Sequence, residues 1–154
     1  MNTEIQLGPQ VVVCNREATI ALYANAMNVP GADECGCASC KNFAAQRSSV
    51  YPDEFLSVLR QLGGDPLREL EAFDYDSDSQ ERHLYGGWFV FCGELVEGTS
   101  WRPEQEPCRF SYWFTTSFPR GGLPTDVPLC AIEFCAEIPW VISGKPEQVD
   151  PPRQ

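Results

Sequence analysis

Three cysteines crowd into six positions at Cys35-Gly36-Cys37-Ala38-Ser39-Cys40, directly ahead of Lys41-Asn42-Phe43. Thiolates at this spacing are soft ligands, and structural zinc takes four Cys or His donors in a tetrahedron. Cys35, Cys37 and Cys40 supply three, and zinc is the cofactor this donor set suits. The local sequence supplies no fourth. Cys14 and His83, the only histidine, are the candidates. A second chemistry is open to the same stretch. Cys37-Ala38-Ser39-Cys40 is a CxxC at the start of a helical pattern. There the helix N-terminus stabilises a thiolate, so Cys37 would attack and Cys40 resolve. Against the redox reading, such sites follow a strand in a βαβ unit, and that unit is not evident here.

The other groups with chemical potential are weaker. Asp74, Asp76 and Asp78 open like a calcium loop, but the sixth and twelfth positions are Ser79 and Tyr85, where Gly and Glu are required. A solvated acidic turn is the expectation. His83 lacks a nucleophile in a recognisable elbow. Glu94, Glu133 and Glu137 read as solvent-facing strand carboxylates. Large rings are abundant, and Trp88, Trp101 and Trp113 are the candidates for lining a small-molecule pocket, with Trp101 the most exposed. Core packing is the competing use for them.

Composition bounds the partners. The 154-residue chain carries a formal charge of −11, with 11 basic residues against 22 acidic ones and no basic run. Binding to nucleic acid or to anionic lipid depends on Lys and Arg, so neither is expected; the acidic balance reads first as solubility, with a basic protein partner as the sharper alternative. No apolar stretch approaches the roughly 20 residues of a membrane span. Met1 to Pro9 has no basic segment, apolar core or cleavage site, so the chain reads as cytoplasmic. In that compartment thiols stay reduced, and eight cysteines are not expected to form four disulfides. The reading is of a binding domain rather than an enzyme.

The elements that must position these groups follow from pattern. Val11–Cys14 and Ala18–Tyr23, separated by Asn15-Arg16-Glu17, read as a hairpin. Asn28 to Glu34, with Pro30 and Gly31, reads as a loop. Cys37 or Ser39 caps a helix running to about Arg47. The clearest helix is Pro52–Leu62, with Asp53 and Glu54 in its first turn, an apolar stripe of Phe55, Val58, Leu59 and Leu62, and Gly63 to end it. Asp65 and Pro66 should open another short helix to about Phe73. Leu84 to Val96 is strand-like, with Gly86-Gly87 marking a bulge or a close approach. Arg109–Thr116 alternates, with Phe110, Tyr112 and Phe114 on one face. Cys130, Ile132, Phe134, Ala136 and Ile138 alternate against a face expected to be wet. Strands, then helices, then strands indicate an α+β fold, with an antiparallel sheet of about five strands and two or three short helices packed on one face. Residues 1–142 form the single domain and 143–154 a polar, Pro-rich tail.

Five stretches carry a resemblance: Cys35-x-Cys37-x2-Cys40-Lys41-Asn42-Phe43, Tyr51-Pro52, Leu62-Gly63-Gly64-Asp65-Pro66, Leu84-Tyr85-Gly86-Gly87-Trp88 and Ile138-Pro139-Trp140-Val141. Together, over about residues 35–141, they resemble a set of small bacterial proteins to which no activity is attached. The resemblance implies a bacterial cytosolic domain and no particular chemistry. Cys14 is not among its matching positions.

Overall fold

The computed structural model describes residues 2–26, 31–76, 82–103 and 109–142. Asn28–Pro30, the acidic run beyond Asp76, Cys108 and the tail from Ser143 lie outside them.

The fold is α+β. Six antiparallel strands of the described residues form one sheet: β1 (Asn2–Leu7), β2 (Gln10–Asn15), β3 (Glu71–Asp76), β4 (Arg82–Glu97), β5 (Phe110–Thr115) and β6 (Leu129–Pro139), in the order β1-β2-β4-β6-β5 with β3 also on β4. Among the described residues, three helices of ten or more residues accompany it: α1 (Arg16–Ala26), α3 (Ala38–Val50) and α4 (Asp53–Leu62). A five-residue helix, α2 (Gly31–Cys35), precedes α3.

α4 forms as its pattern demands. Phe55, Leu59 and Leu62 are buried, and Gly63 ends the helix in the left-handed conformation (φ 91°) with its N–H returned to Arg60. These residues meet Phe43, Phe89, Phe91, Phe134 and Ile138 in the main core. Tyr51, Phe55, Phe110 and Phe134 stack edge and face at centroid distances of 5.0–6.1 Å. β5 contributes Phe110, Tyr112 and Phe114 to this side, as its alternation requires.

Ala18–Tyr23 is not a strand. Asn15 is not a break between strands but the cap of α1, its Oδ1 accepting from Ala18 N at 3.0 Å. Alanines at 18, 21, 24 and 26 favour the helix. Its buried residues, Thr19, Leu22 and Tyr23, follow helical spacing. The helix fills a gap in the sheet. β2 pairs with β4 from Gly93 onward and β3 pairs with it up to Trp88, so among the described residues no strand pairs with residues 89–92 on that edge. Tyr23 Oη donates to Val90 O at 2.9 Å and Thr19 Oγ1 accepts from Cys92 N at 2.9 Å. Two side-chain hydroxyls thus satisfy buried backbone groups that a strand would otherwise pair.

Three further expectations are corrected. Gly31–Cys35 is helical rather than a loop, its first N–H donating to Glu69 O at 2.9 Å. Asp65 caps only a turn, its Oδ1 accepting from Leu67 N, and Glu71–Asp76 is strand β3 rather than helix. Pairing with β4 outweighs the local helical signal there, and Leu70 N already joins Trp88 O. The second face of β6 is wet only at its end: Ala131, Glu133 and Cys135 are buried, and Glu137 is exposed as expected. Leu22, Tyr23, Leu123 and Leu129 pack with Val90 and Cys92 on that side, so the sheet is covered on both faces along its centre. At Gly87 the ladder runs on without a bulge, and the glycine serves a close approach, since a Cβ would lie 2.6 Å from the Phe134 ring.

Candidate metal centre

Cys35 ends α2 and Cys37 caps α3. Gly36 between them has φ 70°, a left-handed conformation that glycine adopts without penalty. That turn folds the chain back so that the Sγ atoms of Cys35, Cys37 and Cys40 lie within 4.8 Å of one another. Zn–S bonds of about 2.3 Å place tetrahedral sulfurs roughly 3.8 Å apart. Each pair therefore needs to close by no more than about 1 Å to hold a metal ion. Cys37 Sγ also accepts from Cys40 N at 3.4 Å, the cap that starts α3. The three differ in exposure: Cys35 is exposed, Cys37 half-buried and Cys40 buried. Burial, together with the bonds and charge of Cys37 and Cys35, pushes the Cys40 thiol well up. A bound cation would reverse that effect, because coordination favours the thiolate.

Both flanking helices are anchored. Asn42, fully buried, donates to Pro139 O at 3.1 Å and accepts from Val141 N at 2.8 Å, which pins α3 to the end of β6. Phe43 beside it enters the main core. Arg47 reaches from α3 to Glu69 through two nitrogens, at 2.6–3.1 Å, and to Asp33 of α2 at 3.1 Å. Burial raises the Glu69 pKa and Arg47 offsets this only in part. For Arg47 burial lowers the pKa, but the contacts with Glu69 and Asp33 together hold it above its ordinary value. This network fixes α2 against α3 and so holds Cys35 beside Cys37.

Cys14 and His83 are placed elsewhere than in the group of three. Cys14 is buried in β2, opposite Thr3 of β1 and Gly93 of β4. His83 is buried in β4, its Nδ1 2.7 Å from Asp74 Oδ2. Ser39, between the second and third cysteines, donates to the same Asp74 oxygen at 3.3 Å. His83 Nε2 is buried with no hydrogen-bond partner among the described residues. Asp74 thus lies in β3, linking the start of α3 to β4, rather than in an acidic turn. Sequence reasoning did not find its link to His83, because it depends on the β3–β4 register. None of the described cysteines is in a disulfide.

The three tryptophans line one cavity of about 320 Å³ on the opposite side of the sheet, together with Arg102, Thr115 and Glu133. Trp113 is fully enclosed, and Trp101 is half-buried with its ring over Gly8 rather than exposed. Glu133, expected to face solvent, is 7% exposed. Its Oε1 accepts from Trp88 Nε1 at 2.8 Å and its Oε2 from Arg102 Nη2 at 3.2 Å. Burial raises the Glu133 pKa, offset in part by Trp88 and Arg102.

No family model, curated protein or solved structure matches this chain. The resemblance noted from its motifs therefore brings no activity to these residues. No helix among the described residues is long and apolar enough to cross a membrane.

Proposed function

We propose that the protein is a non-enzymatic binding domain built around a zinc centre ligated by Cys35, Cys37 and Cys40. The observation that carries this reading is the convergence of three sulfurs to within 4.8 Å on a glycine turn between two anchored helices. Zinc suits three thiolates without demanding redox chemistry. Three protein ligands leave a fourth position for water or an incoming donor. His83 stands outside the group of three, with Asp74 on one ring nitrogen and the other buried without a partner among the described residues, so using it as a fourth ligand would require it to move toward the sulfurs. The test is metal analysis of protein purified under reducing conditions. About one zinc per chain, and thiolate-to-metal charge transfer on cobalt substitution that is lost in Cys37→Ser, are expected. Metal-free protein that gains no thermal stability from added zinc would remove the centre.

A thiol-redox role is the second reading, favoured by the contact of Cys37 Sγ with the N–H of Cys40 at the start of a 13-residue helix. It requires Cys37 to alkylate selectively near neutral pH and to form a reversible disulfide with Cys40. Uniformly slow alkylation of every thiol would end it.

A further inference from the structure

The cavity under the tryptophans already holds a cationic group from this chain. Glu133 sits in the middle of β6, opposite Trp88 of β4 and Trp113 of β5, so one carboxylate stands between two indoles on one face of the sheet. The Trp88 N–H occupies Oε1 and sets the carboxylate's orientation. Oε2 remains for a cation, and Arg102 takes it, with its guanidinium carbon 4.7 Å from the centroid of the Trp113 ring. A buried carboxylate beside an aromatic face is the chemistry that recognises a planar cation. Thr99, Ser100 and Trp101 form the rim.

We infer that this cavity is a binding site for a guanidinium group brought by another molecule, and that Arg102 is the internal occupant it displaces. The asymmetry of the pair is the reason. Glu133 is almost fully buried, whereas the Arg102 side chain is 58% exposed. The receptor is thus fixed in the sheet while its occupant lies in solvent on a loop. A second guanidinium offers Glu133 and the Trp113 ring the same contacts that Arg102 makes, so the exchange replaces one carboxylate bond and one cation–π contact with equivalent ones. The chain's charge of −11 favours approach of a basic ligand. The guanidinium can come from an arginine side chain of a protein or from a free small molecule.

The experiment titrates wild type, Arg102→Ala and Glu133→Gln with N-acetyl-arginine amide and with agmatine. Tryptophan fluorescence and the Trp88 indole N–H resonance report binding, and circular dichroism confirms folding. Wild type should bind saturably, Arg102→Ala at least tenfold more tightly, and Glu133→Gln at least tenfold more weakly. The neutral N-acetyl-citrulline amide should not bind, and this comparison carries the test if Glu133→Gln does not fold. Tighter binding of the blocked arginine supports a protein source, and tighter binding of agmatine a small molecule. The proposal is overturned if folded wild type gives no saturable response, even where Arg102→Ala does, or if binding survives in Glu133→Gln or extends equally to citrulline.

Discussion

Replacing Cys35 and Cys40 separately by serine distinguishes a metal centre from a chance grouping of thiols, because the two differ in burial but not in ligand role. A ligand present at a hundred times its Kd stabilises the folded state by about 2.7 kcal/mol. For a chain of this size each kcal/mol moves Tm by roughly 2–4 °C, so zinc at that excess should raise the wild-type Tm by about 5–11 °C. Cys35 is exposed. Its metal-free variant should stay within about 0.5 kcal/mol of wild type, the usual range for surface changes, and so within roughly 2 °C. Cys40 is buried in the main core, where a hydroxyl lacking its partner costs about 1–3 kcal/mol. Its metal-free variant should already melt lower. Both variants should lose the zinc-induced shift. Differential scanning fluorimetry at matched free zinc, buffered by a chelator, measures all five differences. A zinc shift retained in full by Cys35→Ser would refute the three-thiolate arrangement. A metal-free Cys35→Ser that falls as far as Cys40→Ser would refute the burial argument.

Three other outcomes follow from the same geometry. Removing Arg47 leaves Glu69 charged and enclosed, so Arg47→Ala should lose roughly 3–5 kcal/mol in urea unfolding, and Arg47→Met with Glu69→Leu should lose less than the single change. Thr19→Val deprives the buried Cys92 N–H of its acceptor, which should cost about 1–3 kcal/mol and speed hydrogen exchange at that amide, as a purely apolar role for α1 would not. Burial raises the folded pKa of Glu133, so its contribution to stability is full at low pH and is lost as pH rises from about 4.5 through that raised value. The stability of Glu133→Gln relative to wild type should therefore climb over that interval, and thermal melts of both proteins across acidic pH check the sign.

Much of the architecture was legible where one short-range signal stood alone. α4 combined an apolar stripe, acidic first turn and terminal glycine, and no partner was needed to recognise it. Cys37 was legible as a cap and Gly87 as a point of close approach. Errors fell where local and long-range preferences disagreed. Ala18–Tyr23 is β-branched and aromatic enough to suggest a strand, yet it closes a gap in β4 as a helix. Glu71–Asp76 follows a helix-like opening, yet pairs with β4.

The site divides along the same line. Cys35, Cys37 and Cys40 are six positions of contiguous chain, and a single left-handed glycine brings their sulfurs together, so the sequence by itself determined that cluster. Asp74 beside His83, Arg47 spanning α2 and the Glu69 turn, and Glu133 between two indoles were decided only by the tertiary structure. Each depends on strand register or on helix docking. A shift of one residue in register would turn Glu133 from the tryptophan cavity to the opposite face, and nothing within β6 itself specifies which neighbour it meets.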